Sequence, residues 1–324
     1  MWLFAALLVA APARVYVSNE ASGDVAVIEN DAVVARIPVG KRPRGIKLGP
    51  AGRLYVAVSG SPRGGPGQRD EDLPPPDRSA DGIAVVDLAR GAVVGRLPGG
   101  PDPESFDLGR DGKLLYVSNE DASALSVVDI AAARVVRTIP VGAEPEGVTV
   151  SPDGRAVYVT SEEDGEVDVI DAGSYRLLAR IAVAARPRAV VFTPDGARAF
   201  VSAEQGAAVD VIDARLRRRT GRIRIEGAGA KPMGLAMARD GSLLFVSTGR
   251  GGAVVCIDVA REQVLRTFAP VGPRPWGVAL SPAGDRLYTA NGPSDDVTVL
   301  DPRSGAILRR IPVGKSPWGI AVAP

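Results

Sequence analysis

Short apolar runs alternate with polar turns along almost the whole chain, and the runs have the length of strands rather than helices. From Val148 the pattern reads Val148-Thr149-Val150, a turn at Ser151-Pro152-Asp153-Gly154, then Ala156-Val157-Tyr158-Val159. A polar turn, Val167-Asp168-Val169-Ile170, a further turn and a run from Leu177 to Val183 complete it. Runs of this kind, rich in Val, Ile and Tyr and bounded by Gly, Asp and Pro, predict a four-stranded antiparallel meander. The unit recurs. Its leading turn prolines are Pro43, Pro103, Pro145, Pro187, Pro232, Pro275 and Pro317, separated by 60, 42, 42, 45, 43 and 42 residues. The first interval therefore holds one unit of about 42 residues plus an insertion.

A meander with two apolar faces cannot bury both by itself. Radial stacking covers both faces and leaves only short edges. The chain starts in mid-unit, at Val15-Tyr16-Val17-Ser18-Asn19, and finishes with a lone first strand, Pro317-Trp318-Gly319-Ile320-Ala321-Val322. An open solenoid would need a cap at each end. The pattern instead predicts an all-β, seven-bladed β-propeller of four-stranded antiparallel blades. One C-terminal strand joins three N-terminal strands to close the ring, making 14–324 a single domain.

Composition narrows the chemistry. The 39 basic and 38 acidic residues leave a net charge of +1, so no overall field attracts nucleic acid. The sequence contains no histidine, which excludes His-ligated haem, copper or zinc and Ser-His-Asp catalysis. Cys256, the only cysteine, lies in the apolar run Ala253-Val254-Val255-Cys256-Ile257 and reads as a buried thiol. Residues 1–13, MWLFAALLVAAPA, are apolar but too short to span a bilayer, and they predict a signal peptide. A periplasmic or secreted monomer with no integral membrane segment is the expectation.

The units resemble YVTN-type propeller repeats, through YVSN at Tyr16–Asn19 and Tyr116–Asn119, YVTS at Tyr158–Ser161 and YTAN at Tyr288–Asn291. More closely, the chain resembles the β-propeller proteins associated with pyrroloquinoline-quinone-dependent catabolism. The matching segments include RPRGI (Arg42–Ile46), GPDPE (Gly100–Glu104), VGAEPEGVTVSPDG (Val141–Gly154), ANGPSDDVTVLD (Ala290–Asp301) and the terminal SPWGIAVAP. That resemblance implies a periplasmic binding or accessory role beside quinoprotein alcohol oxidation, without established catalysis. The chain departs from that family at Asp168, where its members tend to carry a histidine, and in a long insertion after Ser59. It lacks quinoprotein tryptophan-docking repeats, so it is not expected to hold the quinone or any other cofactor.

Candidate chemistry gathers at the inter-blade turns, which the ring brings to one channel mouth. The residues flanking each proline, expected to point the same way from extended backbone, are Arg42/Arg44, Asp102/Glu104, Glu144/Glu146, Arg186/Arg188, Lys231/Met233, Arg274/Trp276 and Ser316/Trp318. Two acidic blades thus sit between two doubly basic ones, with Trp276 and Trp318 on neighbouring blades. Adjacent carboxylates repel unless compensated. Three readings follow: Arg44 and Arg186 reach across to Glu104 and Glu146; a small polar or zwitterionic molecule binds against the tryptophans; or Ca²⁺ sits among the carboxylates. The ligand-binding reading is adopted here, with no metal and no catalytic residue assigned. A propeller lactonase or lyase using Glu/Arg acid–base chemistry, or a pure protein–protein scaffold, is the alternative.

Polar tips at Asn19-Glu20, Asn119-Glu120-Asp121, Glu162-Glu163-Asp164, Glu204-Gln205 and Ser294-Asp295-Asp296 read as solvated turns. As a set they make an acidic rim suited to a basic periplasmic protein partner. The insertion at about 60–81, almost free of apolar residues, is expected to be flexible. The aspartates closing each third strand, Asp87, Asp129, Asp171, Asp213, Asp258 and Asp301, read as turn-forming rather than catalytic. Arg215–Arg219 reads as a solvated hairpin tip.

Overall fold

In the computed structural model, residues 13–63 and 72–323 are described; the N-terminal apolar leader lies outside them. They form seven four-stranded antiparallel sheets arranged as a propeller. Blade 1 takes its inner strand from the C-terminus: Pro317–Ala323 pairs with Arg14–Asn19, which is followed by Asp24–Glu29 and Ala32–Pro38. The register Val15↔Val322, Tyr16↔Ala321 and Val17↔Ile320 joins the two chain ends in one sheet and closes the ring.

The core follows from side-chain alternation. In blade 4, Val157 and Val159 on strand Ala156–Ser161 face blade 3, while Tyr158 faces blade 5. Each second strand is therefore buried on both sides, which is why it reads as an unbroken apolar run. The same aromatic position, occupied by Tyr16, Tyr55, Tyr116, Tyr158, Phe200, Phe245 and Tyr288, packs against the following blade at all seven interfaces. The core is thus seven slabs between sheets. Fourth strands carry their exposed residues on the perimeter, and the Arg215–Arg219 hairpin is solvated there.

The third-strand aspartates do what their regularity suggests. Asp87 accepts from the N–H groups of Ala89 and Arg90, Asp171 from Gly173 and Ser174, and Asp301 from Arg303 and Ser304. Each closes a tight turn.

A chain lacking 317–324 loses a whole inner strand and leaves Arg14–Asn19 as an open edge. We expect it to lose the cooperative thermal transition, and the excised peptide added in trans to restore it; an unchanged melting curve would mean that the closure is not structural.

Candidate functional site: the channel mouth

The inter-blade turns are held both by the blade before them and by their own blade. A hydroxyl two residues beyond the packed aromatic donates to a backbone carbonyl in the next blade's turn: Ser18 to Arg44, Ser118 to Glu146, Thr160 to Arg188, Ser202 to Met233 and Ser247 to Trp276. The residue four beyond the aromatic donates its N–H to the carbonyl before the proline, as Glu120 does to Asp102, Glu162 to Glu144 and Glu204 to Arg186. Five of the seven blades thus hold the next blade's turn by a hydroxyl, with Ala57 and Ala290 at that position in the other two, and these N–H bonds tie their turns to their own blade.

The backbone at these turns differs from the extended form expected. Arg42, Asp102, Glu144, Arg186, Arg274 and Ser316 have φ between 42° and 59°, in the left-handed region. Flanking residues therefore diverge. The N–H···O=C bond from the turn after the same blade's second strand offsets the strain of that conformation. The residue after the proline turns into the channel, whereas Arg42 turns to the rim, where it meets Glu20 at 3.1 Å and donates to the carbonyls of Ser61 and Pro62. Lys231 forms no hydrogen bond in the cluster and acts on Glu204 only through its charge.

Two guanidinium groups organise the charges. Arg44, its side chain 4% exposed, pairs with Asp102 at 2.5 Å, with Glu104, and with Glu120 at 3.5 Å. Ser59 also donates to Asp102. Arg188 pairs with Glu146 and Glu162 and with Glu204 at 2.5 Å. Arg186 meets Glu162 at 2.7 Å and Glu204 at 3.4 Å. Arg44 thus pairs with Glu104 as expected, but Glu146 belongs to Arg188 and not to Arg186. The reason is the left-handed residue before the proline, which sends Arg186 sideways toward the second-to-third-strand turns.

Glu120, Glu162 and Glu204 are the residues that reading the turns as solvated tips misses. Their signal is positional: all stand four after the aromatic, in YVSNE (116–120), YVTSE (158–162) and FVSAE (200–204), as does Glu20 in YVSNE (16–20). The oxygens of Asp102, Glu104 and Glu120 lie within 4.8 Å of one another, a spacing that suits a metal ion. Arg44, paired with all three, already supplies the positive charge there.

Carboxylates outnumber cations in this cluster: Asp102, Glu104, Glu120, Glu144, Glu146, Glu162 and Glu204 face Arg44, Arg186 and Arg188. Burial, only partly offset by Arg44, pushes Glu104 well above the usual carboxylate range, and burial does the same to Glu146 against Arg188. Burial raises Glu120 and Glu162 as well, so both members of the pairs Glu104–Glu120 and Glu146–Glu162 hold protons more tightly than usual, and one proton held between them would relieve their repulsion. Burial opposes ionisation at Asp102 too, but Arg44 and the Ser59 hydroxyl outweigh it and hold its pKa low.

Across the mouth, Trp276 and Trp318 stack with centroids 6.0 Å apart and planes inclined by 27°. The guanidinium groups of Arg274 and Arg188 lie 5.0 and 5.6 Å from the Trp276 centroid. A cavity of about 180 Å³ lies between the halves, lined by Glu146, Arg188, Met233, Trp276 and Trp318. The insertion's described ends reach this face. Lys41 pairs with Asp77 at 2.7 Å, Arg78 with Asp121, and Arg63 donates to Ser316 at 2.9 Å; residues 64–71 lie outside the described ones.

The raised carboxyls set a pH dependence. The native state holds protons that the unfolded chain releases, so their contribution to stability is full at low pH and is lost as pH rises through the native pKa. Asp102 and Glu204, with lowered pKa values, lose theirs as pH falls through the native pKa. We expect the Tm to peak at mildly acidic pH, and Glu104→Gln with Glu146→Gln to flatten its decline toward alkaline pH. A decline of unchanged slope in that variant would show both groups already ionised.

Comparison with known proteins agrees with the architecture. A family model described as YNCE-like beta-propeller matches residues 10–151. A search of curated protein sequences finds no significant match. Among solved structures, Kuenenia stuttgartiensis hydrazine synthase is 23% identical with a TM-score of 0.75, covering 88% of this chain and 91% of that one. The periplasmic gluconolactonase PpgL of Pseudomonas aeruginosa is 21% identical with a TM-score of 0.76, covering 96% and 99%. A putative 6-phosphogluconolactonase from Bacteroides uniformis ATCC 8492 is 14% identical with a TM-score of 0.75, covering 97% and 100%. The chain is a seven-bladed β-propeller whose N-terminal part is similar to the YNCE-like propellers.

Proposed function

We propose that the channel mouth binds a small polyhydroxylated acid or its lactone. The observation that carries this reading is the facing of two stacked tryptophans by a carboxyl–arginine cluster, with Arg188 paired to Glu146 and lying over the Trp276 ring. Indole faces suit the apolar C–H face of a sugar-like ring. Shared carboxyl protons and guanidinium forks suit its hydroxyls, which need both donors and acceptors. Positive charge accumulates on the tryptophan side: burial, Arg250, Arg63 and Arg188 all weigh against protonated Arg274. A carboxylate or lactone carbonyl placed there relieves that repulsion. At about 30 Å³ per water, the cavity equals roughly six waters, the scale of one small ring.

The gluconolactonase and putative 6-phosphogluconolactonase among the structural neighbours favour sugar-acid chemistry over other small polar ligands. An extracytoplasmic setting, as the apolar leader predicts, is part of the proposal. An association with quinone-dependent catabolism is carried by the turn sequences alone.

A second reading, lactone hydrolysis, is favoured by the Glu146–Glu162 pair. Arg188 would polarise the ester carbonyl, and the ionised member of the pair would take a proton from the attacking water while the acid member protonates the ring oxygen as it leaves.

Trp276 and Trp318 are two of the three tryptophans, the third being Trp2, so intrinsic fluorescence reports on the mouth. D-Gluconate and D-glucono-1,5-lactone should change it saturably, and Trp276→Ala should weaken binding tenfold or more, about 1.4 kcal/mol. A flat titration with both would overturn the binding reading. For hydrolysis, Glu146→Gln should slow turnover by about 10²-fold; equal rates in the two proteins, or none above buffer, would leave a binding protein only.

A further inference from the structure

The larger cavity lies at the opposite end of the strands. It occupies about 500 Å³ between blades 6 and 7, among the first-to-second and third-to-fourth strand turns. Two residues mark its place. At that end, the packed aromatic or the residue two before it bridges to the following blade at four of the seven interfaces, and in blades 1 and 2 Arg14 and Arg53 pair within their own blade with Glu29 and Asp87. Tyr116 donates to the Ala172 carbonyl and Tyr158 to the Ala214 carbonyl. Phe200 has no hydroxyl, but Arg198 replaces it by donating to the Val259 carbonyl at 2.8 Å. Between blades 7 and 1, Arg286 reaches Asp31 at 2.6 Å. In blade 6 the two positions are Leu243 and Phe245. It is the one blade with neither an arginine nor a hydroxyl there.

The space left is amphipathic. Leu243, Phe245, Cys256, Leu265 and Leu280 supply an apolar lining, and Arg239, Arg266 and Arg303 stand around it. The nearby acids are engaged in their own turns: Asp240 accepts from Ser242 at N and Oγ, and Asp285 from Ser281. Arg266 donates to the Arg303 carbonyl. Among the described residues, Arg239 makes no ion pair or side-chain hydrogen bond. Apolar walls with uncompensated guanidinium groups fit one ligand class, a small anion with a hydrophobic body.

We infer that the gap between blades 6 and 7 is a binding site for amphipathic carboxylates, medium-chain or aryl, with the apolar body against Leu243, Leu265 and Leu280 and the carboxylate held by Arg239 and Arg266. This site is independent of the channel mouth. Calorimetry with octanoate should show saturable binding, with octylamine failing to bind. Arg239→Ala with Arg266→Ala, both exposed positions, should weaken octanoate at least tenfold. Leu243→Arg restores the bridge that Arg198 makes one blade earlier, and it should abolish binding in a protein that still melts cooperatively. Trp276→Ala should leave the affinity for octanoate unchanged. Octanoate binding that survives both Leu243→Arg and loss of the arginines, that is matched by octylamine, or that is absent at millimolar concentration would overturn the assignment.

Discussion

Two buried guanidinium groups hold the mouth of this propeller together. Arg44 and Arg188 each gather three acidic side chains, from two turns and from three respectively, at the inter-blade and second-to-third-strand positions. A buried charge left unpaired is costly, and a planar fork can satisfy several carboxylates at once where an ammonium could not. The arginines are nevertheless too few for the carboxyls around them. We expect the excess to be relieved by a proton held within each of the pairs Glu104–Glu120 and Glu146–Glu162, where burial raises the carboxyl pKa values. Such protons would give the site donors as well as acceptors, as recognition of hydroxyl-rich molecules or movement of a proton requires.

The ring makes this arrangement possible. At five of the seven interfaces the preceding blade holds the turn through one hydroxyl, and in blades 3, 4 and 5 the turn's own blade also holds it through one N–H. Closure through Pro317–Ala323 completes blade 1 from the other chain end, and its Ser18 holds Arg44 of blade 2. The same repetition makes a local exception visible. Leu243 and Phe245 at the two bridging positions leave the core slab intact, and the cavity on the far face lies beside them.

Much of this was legible in the sequence. Strand spacing and the split first unit give seven blades and their closure, because a meander with two apolar faces has few ways to bury both. The tryptophan pair and the grouped charges follow from counting blades. The ionic partners were not legible. Residues before proline ordinarily avoid helical conformations, and the left-handed turn that redirects Arg186 and Arg42 depends on hydrogen bonds that form only once the blade's second strand is paired beside it. Glu120, Glu162 and Glu204 look like ordinary polar tips when each hairpin is read alone. Aligned on the packed aromatic, they occupy one position in three consecutive blades and so differ from Glu163 or Asp164 beside them. Partner choice is a property of the ring and not of the repeat.

Infrared spectroscopy of glutamate carboxyl groups at neutral pH tests the shared-proton account most directly. A carboxylic acid C=O band that persists at pH 7 and disappears in Glu104→Gln with Glu146→Gln is the result it predicts. A spectrum showing only ionised carboxylates at that pH would contradict it.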